Sequence, residues 1–148
     1  MWPLLLILPL LSCLNIGDKA RQVWKSVDCK NQYQIEIYKN KSAIDTIRLR
    51  GRYYIDEKNY LDIEGAGNNI QTSDSSIKFL VVYNSIKQHF SEPDKMSGRD
   101  MEAFYQVALP YNLHCIRMND STMRVVMTSK AALSGFEECF YRQQAAKK

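Results

Sequence analysis

A period-two alternation of apolar and polar residues runs along much of this chain and limits what it can fold into. Apolar residues take nearly every second position in residues 32–38, and the same spacing returns in residues 47–55 and 60–65. Successive side chains of a β-strand point to opposite faces, so each run predicts a strand with one buried face. Short polar turns separate the runs, which is typical of an antiparallel meander.

The second half of the sequence continues the β pattern. Residues 77–86 are apolar on both faces in the middle, which predicts a central strand covered on both sides. Residues 111–118 and 123–128 predict a last hairpin, and the glycine-containing segment 65–69 predicts a loop or a weak strand end. We therefore expect about six strands in total.

A single helix is expected before the last hairpin. Apolar residues over 101–108 recur at helical spacing, after a capping Ser97 and before Pro110. The predicted fold class is therefore α+β, mainly antiparallel β: a curled sheet or small lipocalin-like barrel with one short helix and an N-terminal apolar segment. An incompletely closed sheet would leave a free edge to which a partner strand could add.

Length and hydropathy predict the organisation of the chain. Its 148 residues give room for one domain. Residues 1–17 carry no charged side chain and predict a signal peptide or membrane anchor, followed by a connector over residues 18–28. A β-rich domain over residues 29–141, expected outside the cytoplasmic membrane, and a polar tail over residues 142–148 complete the organisation.

The N-terminal segment and the cysteines favour an exported protein. The residues before Cys13 resemble a bacterial lipoprotein cleavage box, so lipidation of Cys13 stands beside signal cleavage and anchoring as an alternative. Four cysteines are consistent with an oxidising compartment. Cys29 opens the domain and Cys139 closes it, so we favour a disulfide between them. A bridge from Cys115 to Cys139, or three reduced cysteines, are the alternatives.

The sequence predicts neither catalysis nor a cofactor. His114 adjoins Cys115, but neighbouring strand residues point to opposite faces and make a poor base–nucleophile pair. The cysteines and histidines lack the spacing of a zinc site. We therefore predict a protein that binds and is not an enzyme, without a metal or cofactor.

The basic residues do not predict contact with nucleic acid. The net charge of +4 is modest, and the best candidate for a basic stripe is the row Arg48, Arg50 and Arg52. Period-two spacing favours the solvent side of a strand for this row, so no direct nucleic-acid partner is expected.

Residues on the inward side of the predicted strands form either a filled core or the wall of a cavity for an amphipathic ligand, and the sequence favours the filled core. The candidate ligand-lining residues are Tyr33, Tyr53, Phe79, Val81, Met123 and Met127. His89 and His114 are the candidate pH sensors, because histidine ordinarily titrates in the mildly acidic range.

The order of several short features resembles a known family. A cysteine stands just before the first strand at Cys29, and an Arg-Gly pair lies within a strand at residues 50–51. A hydrophobic strand reaches Tyr83, and a Leu-Pro pair follows the helix at residues 109–110. A Phe-Glu-Glu-Cys sequence then ends at Cys139. Together these features resemble the FidL-like family of enterobacterial membrane proteins.

The resemblance, which spans residues 24–141, implies a partner and a location. FidL-like proteins are associated with membrane-bound regulators that carry a cytoplasmic winged-helix DNA-binding domain, and they are similar in arrangement to ToxS, VtrC and PsaF. The resemblance implies an inner-membrane protein facing the periplasm. Such a protein would stabilise a ToxR-like regulator and contribute to a pocket for bile salts or a response to acid. A stand-alone secreted or lipidated lipocalin-like binding protein is the alternative.

Overall fold

Eight antiparallel strands make up the computed structural model, which describes residues 20–27, 29–95, 97–98, 109–127 and 139–145. The strands are β1 Ala20–Val27, β2 Gln32–Asn40, β3 Ala43–Tyr54, β4 Tyr60–Thr72, β5 Ser76–His89, β6 Tyr111–Arg117, β7 Thr122–Met127 and β8 Cys139–Gln143. A 3₁₀ turn at Pro93–Lys95 is the one helical element that lies wholly within these residues.

The strands close into a barrel. Each strand pairs with the next along the chain, and β1 pairs with β8 from Trp24 opposite Gln143 to Val27 opposite Phe140. The prediction of a mainly antiparallel β fold is confirmed, and the barrel is the correct alternative to the curled sheet. Every strand has a neighbour on both sides, but the pairing of β5 with β6 ends at Val81, so β5 beyond Val81 has no β6 partner among the described residues. A free edge for a partner strand therefore stays a prediction.

Strand β1 corrects the connector that was predicted over residues 18–28. Its alternation is hidden because the inward positions on either side of Trp24 hold Gln22 and Ser26, and only Trp24, at 4% exposed, is buried. A strand with polar residues at inward positions does not show the apolar period from which strands are predicted. The barrel therefore begins before residue 29.

Strand β8 was also missed, and it carries the barrel past residue 141 to Gln143. It has five residues, in which buried Cys139 and Tyr141 alternate with a half-exposed Phe140. An aromatic residue on the outer face obscures the alternation. These two terminal strands account for the difference between the expected six and the observed eight.

Of the two alternatives predicted for residues 65–69, the strand is correct and the loop is wrong, because this segment lies within β4. Its glycines face the interior and allow close packing. A Cβ on Gly67 would lie 2.8 Å from Phe79 Cδ2 and 2.9 Å from Ile47 Cβ, and one on Gly65 would lie 2.9 Å from a ring carbon of Tyr83. These glycines therefore mark close approach within a strand and not a turn.

The barrel interior is filled along most of its length. Its most deeply buried aliphatic and Phe side chains, none more than 2% exposed, are Ile35, Ile37, Ile47, Leu49, Leu61, Ile63, Phe79, Val81, Leu113 and Val125. We call the end formed by the turns at residues 41–42, 73–75 and 118–121 the open end. The opposite end, where Cys29 and Cys139 lie, is the disulfide end.

Three predictions lie outside the described residues. They concern the N-terminal segment 1–17 with Cys13, the short helix over 101–108, and the end of the tail at residues 146–148. Among the residues that the structure describes, no helix is both long enough and apolar enough to cross a membrane.

Candidate functional site

A disulfide joins Cys29 to Cys139, which confirms the favoured pairing. Their Cα atoms are 6.1 Å apart, and 110 positions of sequence separate them. Cys115 is a free, buried cysteine, so the alternative bridge from Cys115 to Cys139 was wrong. The disulfide ties the turn after β1 to the start of β8, the two strands that close the barrel.

A cavity of about 350 Å³ lies at the open end of the barrel. Parts of strands β1 to β7 contribute to its wall, together with the turns after β2 and β4. Its lining residues are Gln22, Trp24, Ile37, Lys39, Ser42, Ala43, Ile44, Ile70, Thr72, Ser73, Asp74, Ser75, Ser76, Ile77, Cys115, Arg117 and Met123.

The floor of the cavity is closed and largely apolar, and the Trp24 Nε1–H is buried without a hydrogen-bond partner among the described residues. Trp24, Cys115 and Met123 are its most buried lining residues apart from Ile37, at 4%, 2% and 3% exposed. The next inward residues on β6 and β7, Leu113 and Val125, are 0% exposed. Burial raises the pKa of the Cys115 thiol to about 12. The thiol is therefore protonated at neutral pH and is a poor nucleophile.

The rim of the cavity is polar and carries both signs of charge. Lys39 is half-buried in the wall, whereas Asp74 lies exposed on the turn after β4. Arg117 is held by its own hairpin: its Nε donates to the Asn119 carbonyl oxygen at 3.3 Å, and its Nη2 lies 3.2 Å from Asp120 Oδ1. An apolar floor under a polar rim suits a molecule with one apolar and one polar part.

Of the six residues predicted to line a ligand cavity, Met123 alone lines this one. Tyr33, Phe79 and Val81 are buried in the core, at 7%, 2% and 0% exposed. Tyr53 and Met127 are partly buried and pack against that core.

The sequence analysis missed Trp24, Cys115 and Lys39 as lining residues. One signal was available, because Lys39 comes two positions after inward-facing Ile37. A lysine at an inward position of a strand therefore marked the place where the filled core ends.

A group of tyrosines fills the half of the barrel nearer the disulfide end. Burial raises the pKa values of Tyr33, Tyr83, Tyr111 and Tyr141 well above the ordinary tyrosine value. The hydroxyl groups of Tyr83 and Tyr111 hydrogen-bond to each other, and their rings meet edge to face with centroids 5.6 Å apart. The Tyr141 hydroxyl is buried without a hydrogen-bond partner among the described residues.

The two histidines lie far from each other on the outer wall. His89 Nε2 is 3.0 Å from Asp62 Oδ2, and its ring stacks on Tyr60 with centroids 4.6 Å apart. His114 is half-buried, and burial together with the charges of Lys78 and Arg124 lowers its pKa. The structure does not bring His89 and His114 together, and a role for either in pH sensing stays a prediction.

The outer wall carries a buried carboxylate. The Glu36 side chain is 1% exposed, and its carboxylate oxygens lie 3.1 Å from Arg21 Nη2 and 2.9 Å from Arg50 Nη2. Gln34 Nε2 and the Tyr38 hydroxyl also donate to it, at 2.7 Å and 2.6 Å. Burial acts to raise the pKa of Glu36, but hydrogen bonds from Tyr38, Arg21 and Gln34 outweigh it and lower the pKa.

The predicted arginine row faces outward as expected. Arg48 and Arg50 are exposed, and the Arg52 side chain is 38% exposed and paired with Asp62 at 2.8 Å. The Arg48 guanidinium lies 5.4 Å from the centre of the Tyr38 ring. Carboxylates neutralise Arg50 and Arg52, whereas Arg48 makes only a cation–π contact, as expected for the solvated face of a strand.

Within the described ranges, no three His, Cys, Asp or Glu side chains are grouped so that they could hold a metal ion. Comparisons of the chain with family models, with curated proteins and with solved structures find no match. The resemblance to the FidL-like family therefore stays a prediction from the sequence.

Proposed function

We propose that this chain is a binding protein whose barrel receives an amphipathic small molecule at the open end. The observation that carries the proposal is the cavity itself, with its apolar floor of Trp24, Cys115 and Met123 and its polar rim. Its volume of about 350 Å³ falls within the range of small-molecule pockets. A barrel of this size has an interior that holds one small ligand or none.

Binding is favoured over catalysis by the placement of the titratable groups. Catalysis needs an acid, base or nucleophile with a suitable pKa within reach of the same pocket. The thiol in the cavity floor, Cys115, has a raised pKa of about 12. His89 and His114 are on the outer wall, and neither lines the cavity.

For the biological setting we propose an exported module of the inner membrane, with the barrel facing the periplasm as the partner of a ToxR-like regulator. The Cys29–Cys139 disulfide supports an oxidising compartment. The apolar segment 1–17 supports export or anchoring. With the barrel closed, the partner would contact its outer wall. The alternative is a stand-alone lipocalin-like carrier, secreted or lipidated at Cys13.

Chemical identification of a co-purified molecule tests the binding function. The full chain is purified from its native membranes, and the organic extract is examined by mass spectrometry. We expect a bound amphiphile that is lost in Ile44→Trp, because Ile44 is half-buried in the cavity wall and a larger side chain there would take up part of the cavity. Ala66→Trp, on the outer face of β4 between Gly65 and Gly67, is the matched control and should retain the molecule. Equal extracts from both variants would contradict the proposal.

Affinity purification from gently solubilised native membranes tests the partner. Stoichiometric recovery of a single-pass protein with a cytoplasmic DNA-binding domain would support the regulatory role. A monomeric chain recovered alone would leave the carrier alternative.

A further inference from the structure

We infer that the ligand of this cavity is a single-chain amphiphile with an anionic head group, whose alkyl tail lies on the floor at Trp24 and whose head lies at Lys39. This inference rests on the proposed binding function and adds the shape, the charge and the orientation of the ligand.

The depth of the cavity selects a short flexible chain. Below the lining residues, the next inward side chains on β2, β5, β6 and β7 are Ile35, Phe79, Leu113 and Val125, none more than 2% exposed. The cavity is therefore about two layers of inward side chains deep, from Lys39 at the rim to Ile37 at the floor on β2. Close-packed protein interiors resist the insertion of extra volume. A rigid fused-ring molecule that reached below the floor would therefore have to displace core side chains. An alkyl chain can bend to fill about 350 Å³.

The charge of the wall selects an anion. Lys39 is half-buried among the lining residues, and its ammonium group pairs with none of the described carboxylates. The other cation of the wall, Arg117, already pairs with Asp120, and Asp74 is exposed to solvent on its turn. A carboxylate or sulfate head group placed beside the Lys39 ammonium would gain a charge-assisted hydrogen bond.

Fluorescence titration of the full chain in lipid nanodiscs tests this inference. The chain has two tryptophans, Trp2 and Trp24, so a Trp2→Phe background makes the emission report on the cavity floor. The probes are alkyl carboxylates from hexanoate to tetradecanoate, decylammonium, 1-decanol and the steroid anion cholate, at about pH 8 where carboxylates are ionised. Empty nanodiscs give the background partitioning.

Charge and shape selectivity are the expected results. Decanoate should bind at least about ten-fold more tightly than decylammonium, because one charge-assisted hydrogen bond is gained. Affinity should rise with chain length and then stop rising when the cavity is full. Cholate should bind more weakly than decanoate.

Variants of two neighbouring lysines assign the head group. Lys39→Gln should weaken decanoate about ten-fold and leave 1-decanol unchanged. Lys41→Gln is the matched control, because Lys41 is exposed on the adjacent turn and does not line the cavity. Lys39→Glu should reverse the preference toward decylammonium, which keeps the test valid if Lys39→Gln alters folding.

The titrations distinguish a failure of this inference from a failure of the proposed binding function. Saturable binding in which decanoate, decylammonium and 1-decanol are equal, or which Lys39→Gln leaves unchanged, would overturn this inference and keep the binding function. Tighter binding of cholate than of decanoate would overturn the single-chain shape. No saturable change of Trp24 emission with any probe would overturn both.

Discussion

The two ends of the barrel are built from the same strands but are filled differently. Toward the disulfide end, Tyr33, Tyr111 and Tyr141 fill the interior, and the Cys29–Cys139 bridge joins the strands at the closure. At the open end the inward positions change to Lys39 and the hydroxyl residues of the turns, which leave a cavity of about 350 Å³. One end therefore supplies stability, and the other leaves space for a ligand.

This difference implies that stability and binding can be changed separately. Removing contacts at the disulfide end should destabilise the fold, because buried aromatic groups and a cross-link carry large energies. Removing contacts at the open end should cost little stability, because the side chains there already border empty space. The predictions below test this contrast.

The largest expected effect is that of the disulfide. The double substitution Cys29→Ser, Cys139→Ser should lower the free energy of unfolding by about 4–5 kcal/mol, since the bridge closes a loop of 110 positions and restricts the unfolded chain. Chemical denaturation of the oxidised wild type and the double variant measures the difference. Cys115→Ala, which leaves the bridge intact, is the control. Equal losses in the two variants would contradict the contrast between the ends.

Two isoleucine truncations compare the filled interior directly with the cavity wall. Ile35→Ala, in the middle of the barrel and 0% exposed, should lower the free energy of unfolding by about 3–4 kcal/mol. Ile44→Ala, half-buried and lining the cavity, should lower it by only about 1 kcal/mol. Denaturant titration of both variants measures the two losses. If Ile44→Ala costs as much as Ile35→Ala, the open end is packed as tightly as the interior.

A smaller effect is expected from one hydroxyl group at the disulfide end. Tyr83→Phe removes a hydrogen bond and leaves the buried Tyr111 hydroxyl without that partner, so it should cost about 1–2 kcal/mol. Tyr53→Phe is the control, because the Tyr53 hydroxyl makes no hydrogen bond to any described residue. Thermal unfolding of the two variants side by side measures the difference, and equal midpoints would show that the hydrogen bond contributes nothing.

The strands that the sequence predicted correctly share one property. In the predicted parts of β2, β3 and β4, most inward positions hold apolar or aromatic residues, so the period is visible without knowledge of the partner strands. In β1 the period is not visible, because Gln22 and Ser26 face inward. In β8 it is not visible because Phe140 faces outward. Such strands are fixed by pairing with neighbours that are distant in sequence, and the chain alone does not reveal that pairing.

The cavity was harder to predict than the fold. Its wall combines residues as distant as Trp24, Ile70 and Cys115, which are brought together only by the register of the closed barrel. The sequence predicted which residues face inward, and Met123 is one of them. It did not predict where along the barrel axis the filled core ends and the cavity begins. That position depends on the volumes of facing side chains on different strands.

The smallest expected effect concerns pH and lies on the outer wall, at neither end. Burial and the charges of Lys78 and Arg124 lower the pKa of His114 in the folded protein. As the pH falls, His114 therefore takes up a proton in the unfolded chain before it does so in the folded protein. This difference should lower the free energy of unfolding as the pH falls through about 6.5. His114→Gln removes that difference, and its free energy of unfolding should decline less than that of the wild type between neutral and mildly acidic pH. Lys78→Gln should act in the same direction, because it removes one of the two cations. Denaturant titrations at several pH values measure these slopes, and identical pH profiles for wild type and His114→Gln would show that His114 is not a source of acid sensitivity.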